Sequence, residues 1–326
     1  MLGRRRQRFM IAGDDDFVTA AYCVLLGRDP EPAGLRHWSA MLSNGLARTQ
    51  FIHALLSSAE FRGRMATVNQ FDEYHDVDVM VPMPPHQFRL PLADLSFVPT
   101  FLKERVWEPH VTGYLRQELR PHHTFMDVGA NLGYFSVICA PLVRRVIAFE
   151  PVSTAYRYCL GNISLNRLTN VELFPYGLWK QNVTLSMMSD SSSLMSASLS
   201  GDQRTSGGET IPCVSLDRLV ASGELQLPGL DVVKMDIEGA EVSALMGMRD
   251  TIMRFRPRII FELNRPALGR LGETVDDVWR FFDDLSYTLF AFEHWKEIDP
   301  RPVRSLEQLT TLCPADGLID ALAVAG

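Results

Sequence analysis

The sequence predicts a small all-α domain followed by a mostly parallel, doubly wound α/β sheet with an antiparallel last strand. From Phe101 onward, short apolar runs alternate with helical patterns, which is typical of β-α-β units. A glycine-containing turn follows the first of these runs, and carboxylates follow several others. A long connection separates the last two runs, 287–293 and 319–325, which favours a final antiparallel strand at the sheet edge.

Composition and charge argue against several classes of protein. The 326 residues are 46% hydrophobic, so they can form one large and one small domain. A formal net charge of -7 argues against a general nucleic-acid binder. Five dispersed cysteines make a disulfide framework or a zinc site unlikely. No apolar run approaches membrane-spanning length, and acids at 14–16 interrupt any leader, so we expect a cytoplasmic protein without a membrane span.

Four segments are predicted along the chain. Residues 1–13 form a basic tail, and 14–66 form a helical accessory domain because apolar residues recur at helical spacing. Residues 67–100 are a linker or arm, since their prolines forbid long helices. The sheet-forming domain spans 101–326. Within it, 182–216 predicts two antiparallel strands around a Ser/Gly-rich tip, which is either a lid over the site or a plain solvated loop.

The stretch DVGANLG joins a predicted strand to a helix and has the features of a cofactor loop. Asp127 stands at the strand tip, and Gly129 and Gly133 let the backbone approach a ligand closely. The N–H groups of the following helix can receive a carboxylate. Glu150, some twenty residues further on, can accept both hydroxyls of a ribose. Tyr176 and Gly177 are expected near the adenine.

Two cofactors share this logic. A dinucleotide site needs G-x-G-x-x-G, and Asn131 stands where that pattern needs a glycine. S-adenosylmethionine carries an amino acid in place of a pyrophosphate, which suits Asp127 and Asn131 better. The sequence therefore favours S-adenosylmethionine. An NAD-dependent oxidoreductase stays as the alternative enzyme, and a scaffold acting through its helical domain is the non-catalytic alternative.

Carboxylates gather where the predicted strands end, and that edge of a doubly wound sheet binds ligands. Asp236 is predicted to align cofactor and acceptor, and Glu238 to act as a base. Glu241 is predicted to cap the next helix. Glu262 with Asn264 is predicted to hold sugar hydroxyls, although an edge carboxylate satisfied by backbone N–H groups is equally compatible.

A second base and a metal site are two further possibilities at this edge. His294 follows the apolar run 287–293 and would reach the same edge if that strand runs parallel. Oxygen ligands from Asp236, Glu238 and Glu262 would suit Mg²⁺. Because no typical ligand pair stands nearby, no metal is expected.

The catalytic segment resembles the FkbM family of S-adenosylmethionine-dependent methyltransferases. The motifs that carry the resemblance are RVWEPHVT (105–112), DVGANLGYFS (127–136), FEP (149–151), NISLNRLTNVEL (162–173), VSLDRL (214–219), DVVKMDIEGAEVSALMG (231–247) and RPRIIFEL (256–263). The resemblance implies a Rossmann-like class I methyltransferase sheet and O-methylation of a sugar, a glycan or a similar small molecule, without an obligatory metal.

The helical segment carries a second resemblance. AYCVLLGRDPEPAGLRHWSAMLSNG, followed by LLSSAEFR, resembles a small bacterial domain of unknown function. That family implies an accessory module, sometimes found beside enzymes of surface-polysaccharide biosynthesis, and hence a protein partner for the N-terminal domain.

Overall fold

The computed structural model describes residues 8–10, 13–26, 28–46, 51, 54–55, 58, 60, 78–91, 101, 104–189, 197–199, 209–293 and 297–326. The chain divides into two compact units, one formed by residues 1–107 with 191–194 and the other by the rest. None of the described helices is long and apolar enough to cross a bilayer.

The first unit contains two helices and a three-stranded sheet. The helices are α1 (Asp14–Leu26) and α2 (Pro32–Ser43), and the strands are β1 (Arg8–Met10), β2 (Asp78–Met83) and β3 (His86–Pro91). An aromatic cluster packs the helices: the Trp38 and Phe51 rings lie 4.9 Å apart, and Trp38 Nε1 donates to Tyr22 Oη over 3.1 Å. Strand β2 pairs parallel with β1 and antiparallel with β3, so the proline-rich segment contains a hairpin.

The second unit is built on an eight-stranded sheet in the order β14-β13-β15-β12-β11-β4-β5-β6. Its strands are β4 (Thr124–Val128), β5 (Arg145–Phe149), β6 (Val171–Phe174), β11 (Val232–Met235), β12 (Arg258–Asn264), β13 (Tyr287–Ala291), β14 (Arg301–Val303) and β15 (Leu318–Ala325). The mostly parallel α/β fold and the antiparallel last strand are confirmed. The predicted edge position is wrong, because β15 lies between β12 and β13, and β14 occupies that edge.

Nine helices of the described residues connect these strands. They are α3 (Pro109–Glu118), α4 (Tyr134–Cys139), α5 (Ser153–Leu165), α6 (Leu216–Ser222), α7 (Glu241–Gly247), α8 (Arg249–Phe255), α9 (Arg265–Arg270), α10 (Val275–Asp284) and α11 (Leu306–Leu312). Alternate residues of β4, β11 and β12 enter one large apolar core, where Phe261 stacks on Phe282 of α10. The intervening residues of these strands, including Asp127 and Lys234, lie on the other face.

A smaller sheet, ordered β7-β10-β8-β9, lies between β6 and β11 in sequence. It consists of β7 (Gly177–Leu178), β8 (Val183–Ser189), β9 (Ala197–Leu199) and β10 (Glu209–Val214). Strands β8 and β10 pair antiparallel, as the sequence predicts. Most of the Ser/Gly-rich tip between them lies outside the described residues, so its role as a lid stays a prediction.

Candidate active site

The loop after β4, residues 129–133, is held by its backbone. The N–H groups of Gly129 and Ala130 both donate to the carbonyl oxygen of Phe149 over 3.0 Å. Gly129 has φ +79°, and a Cβ added there would stand 2.0 Å from the carbonyl oxygen of Asp236. A glycine is required because this cofactor loop lies directly against the segment that follows β11.

Glu150 orients the same loop through backbone hydrogen bonds. One oxygen of its buried carboxylate accepts from Asn131 N, and the other accepts from Val152 N, each over 2.8 Å. These two hydrogen bonds fix the Glu150 carboxylate beside the cofactor loop.

Two buried side-chain oxygens near the cofactor loop are relevant to whether a cofactor with an amino-acid group fits there. Ser136 Oγ donates to Asp127 Oδ2 over 2.6 Å, while Asp127 Oδ1 and Asn131 Oδ1 have no hydrogen-bond partner among the described residues. Burial raises the pKa of Asp127, and the charge of Lys234 and the Ser136 hydrogen bond oppose that rise. Unsatisfied acceptors beside a glycine cradle fit an ammonium-bearing ligand such as S-adenosylmethionine.

The other predicted cofactor residues have packing roles in the structure. A Cβ on Gly133 would lie 2.8 Å from Cys159 Sγ, so this glycine lets α4 approach α5. Gly177 pairs with Cys213 in the smaller sheet, and a Cβ there would lie 3.6 Å from Pro151 Cγ. Tyr176 is half-buried against the main core. The chain after β6 therefore lies close to the residue that follows Glu150.

Three acids stand side by side at the carboxyl edge of the sheet, and we call Asp236, Glu262 and Asp320 the acid row. Met235 of β11 pairs with Phe261 of β12, which places Asp236 beside Glu262, and Glu262 pairs with Asp320 of β15. Residues in register on adjacent strands point to the same face of a sheet. The acid row lies on the same face of the sheet as Asp127 and Lys234. These two residues pair with each other on β4 and β11, and Lys234 stands two residues before Asp236 along the chain.

Basic side chains contact the two ends of the acid row. Lys234 is only 5% exposed, and its Nζ lies 3.1 Å from Asp236 Oδ2 and 4.7 Å from the centre of the Phe135 ring. Burial lowers the pKa of Lys234, but the charges of Asp236, Glu108 and Asp127 outweigh it, so the pKa is raised. At the other end, His110 Nε2 lies 2.7 Å from Asp320 Oδ2.

The acids near the middle of the row have raised pKa values. Burial raises the pKa of Glu262, and the neighbouring charges of Asp236 and Glu238 add to it. Burial and the Asp236 charge also raise the pKa of Glu238, whose backbone has φ +55°. Burial raises the pKa of Glu241 to about 8. Glu241 Oε1 accepts from Ile237 N over 3.1 Å, so this acid holds the loop before α7.

Asn264 caps α9, because its side-chain oxygen accepts from Ala267 N over 3.1 Å. Its amide nitrogen lies 3.4 Å from Glu262 Oε1, which keeps Asn264 next to the acid row. His294 falls outside the described residues, so its role as a base stays a prediction. The part of the chain that the structure describes contains no group of three or more His, Cys, Asp or Glu side chains arranged to hold a metal ion.

The sequence prediction missed Lys234, His110 and Asp320 as site residues. A lysine inside the apolar run VVKM was a usable signal, because a buried lysine requires a carboxylate partner. The pairing of His110 with Asp320 joins residues 210 positions apart and leaves no local pattern.

Two family models match the chain. The "Methyltransferase FkbM domain" matches residues 127–289, which is the segment that carries the cofactor loop, Asp236 and Glu262. A "Domain of unknown function (DUF4214)" matches residues 9–65, in agreement with the accessory domain expected from the sequence.

Curated relatives match the catalytic segment in part. The "Hexuronic acid methyltransferase AglP" of Haloferax volcanii is 31% identical over 156 residues, covering 46% of this chain and 62% of that protein. The "AMB antimetabolite synthetase AmbE" of Pseudomonas aeruginosa is 26% identical over 194 residues, covering 48% of this chain and 9% of that much longer protein. The chain thus spans less than two thirds of the length of either relative.

Solved methyltransferase structures align over much of the chain with low similarity. The FkbM methyltransferase from Methylobacillus flagellatus aligns with 90% of this chain and 71% of its own, at 13% identity and a TM-score of 0.38. A putative methyltransferase from Streptococcus mutans, SMU.1697c, in complex with SAH, aligns with 67% of this chain and 99% of its own, at 12% identity and a TM-score of 0.39.

Proposed function

The chain belongs to the FkbM methyltransferase family, and from that premise we propose that it is an S-adenosylmethionine-dependent O-methyltransferase acting on a hydroxyl of a sugar or glycan. The contact between Gly129 and the carbonyl of Asp236 carries this proposal. It joins the cofactor loop to the acid row, so a ligand held by the loop has the acids of the row next to it.

The residues of the cofactor loop have distinct proposed roles. S-adenosylmethionine supplies a methyl group on a positively charged sulfur when it is bound. Asp127 and Asn131 hold its amino-acid end through their unsatisfied oxygens. Glu150 holds the ribose, and Asp236 faces the sulfonium with a carboxylate that Lys234 keeps in place.

The acceptor proposal rests on the chemistry of the acid row and on a relative. Carboxylates accept hydrogen bonds from hydroxyls, and the half-buried Glu238 and Glu262 present such groups where the strands end, next to the Asn264 amide. AglP, which shares 31% identity with this chain, is a hexuronic acid methyltransferase. Sugar hydroxyls are therefore the acceptor class that we propose.

A nicotinamide-dependent oxidoreductase fits less well. A pyrophosphate needs close approach to the backbone at the position of Asn131, which has φ +52° and carries a side chain there. The family match and the acid row at the strand ends both favour methyl transfer over hydride transfer.

Transfer of a labelled methyl group tests the proposal directly. The purified protein is incubated with methyl-labelled S-adenosylmethionine and oligosaccharides that do or do not contain a hexuronic acid. We expect label in at least one glycan, and Asp236→Asn should lower the rate about 100-fold or more because it weakens alignment at the reacting centre. The exposed Asp299→Asn is the matched control. Bound S-adenosylmethionine without label in any glycan would contradict the acceptor class.

We also propose that the DUF4214 domain docks a protein partner, while the α/β domain performs the chemistry. Its helices have their own aromatic cluster around Trp38. Removal of residues 1–66 should preserve transfer to a small soluble acceptor and abolish co-purification of the partner. Loss of transfer to the small acceptor would contradict this division of roles.

A further inference from the structure

Glu262 differs from its neighbours in the acid row because, among the described residues, no basic side chain is paired with it. Asp236 is paired with Lys234 over 3.1 Å, and Asp320 is paired with His110 over 2.7 Å. Among the described residues, Glu262 forms no ion pair, and its side-chain hydrogen bond is the 3.4 Å contact from the Asn264 amide. Of the three acids in the row, Glu262 is therefore the one whose carboxylate charge has no basic side chain paired with it in the described part of the chain.

The charged groups around Glu262 come from every neighbouring element. Four carboxylates surround it: Asp236 and Glu238 in the segment after β11, Glu241 in α7 and Asp320 in β15. Burial is the main cause of the raised pKa of Glu262, and the charges of these four carboxylates raise it further. The nearby basic groups lie on the neighbours of Glu262: Lys234 Nζ pairs with Asp236, and His110 Nε2 pairs with Asp320. The charge of Arg270 opposes the rise in the pKa of Glu238. The Cys313 thiol near Arg265 is also within electrostatic range of Glu262.

Glu262 is half-buried, whereas Asp127 and Glu241 are fully buried. A bound ligand can therefore reach the Glu262 carboxyl directly. The same position next to Asp236 makes Glu262 sensitive to a positive charge that binds beside Asp236.

We propose that Glu262 carries a proton in the ligand-free protein, releases it when the positively charged methyl donor binds beside Asp236, and then accepts the proton of the acceptor hydroxyl. This inference rests on the proposed function and assigns the proton acceptor of that reaction. It changes the role of Glu262 from holding a sugar hydroxyl to deprotonating one.

The charges and atoms balance in this scheme. The acceptor oxygen forms a bond to the methyl carbon, the sulfur–carbon bond breaks, and the sulfur keeps the electron pair. The Glu262 carboxylate takes the hydroxyl proton. The site begins the step with one sulfonium and one carboxylate and ends it with a neutral thioether and a neutral carboxylic acid, so its net charge does not change.

Calorimetric titration in two buffers of different ionisation enthalpy measures the proton released on binding. S-adenosylmethionine should release about one proton from the protein at neutral pH, and its affinity should rise about tenfold per pH unit while Glu262 is protonated in the free protein. S-adenosylhomocysteine shares the amino-acid end and lacks the sulfonium charge. Its binding should release about one proton less, so the difference between the two ligands isolates the effect of the charge.

Two glutamine variants identify the group that loses the proton. Glu262→Gln should still bind S-adenosylmethionine, lose the extra proton release, and lose methyl transfer by about 100-fold. Glu273→Gln is the matched control, because Glu273 is a half-buried acid with a raised pKa that bonds to Ser243 away from the acid row. It should retain the proton release of the unmodified protein.

The outcomes separate this inference from the proposed function. Binding of both ligands with equal proton release would overturn the role of Glu262 and leave the cofactor assignment intact. Release that persists in Glu262→Gln would assign the proton to another acid and also overturn it. Binding of neither ligand would contradict the proposed function itself. If Glu262→Gln does not fold, equal proton release for the two ligands on the unmodified protein would still overturn the inference.

Discussion

The two halves of this sheet edge are built from different interactions. The cofactor loop is shaped by backbone: Gly129 lies against a carbonyl oxygen, and both oxygens of Glu150 accept backbone N–H groups over 2.8 Å. The acid row is shaped by charge, with Lys234 and His110 binding its two ends. Backbone contacts make the loop sensitive to shape, whereas the acid row is sensitive to charge and pH.

Replacing the buried Lys234 should have the largest effect on the acid row. Lys234→Met should lower the free energy of unfolding at pH 8 by about 4 kcal/mol, because it leaves the partner carboxylates buried without compensation. The pKa of Asp127 would then rise further in the folded state, because the charge of Lys234 opposes that rise in the unmodified protein. The folded state would bind more protons than the unfolded chain. The loss should therefore shrink as the pH falls to 5.

Urea unfolding at the two pH values measures this loss. The exposed Lys180→Met is the control, and its effect should stay below about 1 kcal/mol. An equal loss for Lys234→Met at pH 5 and pH 8 would show that Lys234 acts through packing and not through charge.

A single added methyl group should disrupt the cofactor loop. Gly129→Ala places a Cβ 2.0 Å from the carbonyl oxygen of Asp236, at a φ of +79°. The clash and the backbone strain should displace the loop and weaken the free energy of S-adenosylmethionine binding by about 3 kcal/mol, which is more than 100-fold in affinity. Gly269→Ala is the control, because no atom lies within 4 Å of the added Cβ, and this change inside α9 should be neutral or slightly stabilising. Unchanged affinity in Gly129→Ala would mean that the loop is not the cofactor site.

A double-mutant cycle sharpens the account of the far end of the acid row. His110→Gln and Asp320→Asn should each destabilise the protein, with a coupling energy of about 2 kcal/mol for the pair. The exposed Asp316→Asn, combined with His110→Gln, supplies the uncoupled control. Additive effects for His110 and Asp320 would contradict a direct bond between them.

Per pH unit, the smallest expected effect is the stability slope from Glu241. Its pKa is about 8 in the folded state against an ordinary value of 4.5, so the folded protein holds the extra proton between these values. Stability contributed by this group is present below about pH 4.5 and is lost as the pH rises to 8, by about 1 kcal/mol per pH unit.

Glu241→Gln should flatten this slope, since the amide keeps the oxygen that accepts from Ile237 N. Urea midpoints between pH 5 and pH 8 give the slope, with the exposed Glu224→Gln as control. A slope unchanged by Glu241→Gln would assign the titration to another acid.

The contrast between the halves also explains what the sequence could predict. The cofactor loop is contiguous, and its glycine spacing follows from local backbone geometry, so one motif predicts Asp127, Gly129 and Asn131 together. The mostly parallel sheet likewise follows from the alternation of strand and helix patterns. The insertion of β15 between β12 and β13 could not be found in this way, because strand neighbours depend on contacts across the whole domain.

The partners within the acid row escaped prediction for the same reason. Asp236 and Glu262 were singled out as strand-end acids, but the pairing of Lys234 with Asp236 and of His110 with Asp320 depends on side chains that share one face. Gly133 was predicted as a cofactor residue, and the structure also shows a packing reason for it against Cys159. Patterns of residue type do not separate these two roles.

Equilibrium binding of S-adenosylmethionine and of NAD, to the unmodified protein and to Gly129→Ala, tests the central claim most directly. We predict saturable binding of S-adenosylmethionine at one site per chain, no binding of NAD, and loss of binding in Gly129→Ala but not in Gly269→Ala. At a concentration of one hundred times the dissociation constant, the ligand should also stabilise the unmodified protein by about 2.7 kcal/mol. Binding of NAD alone, or S-adenosylmethionine affinity that survives in Gly129→Ala, would contradict the account.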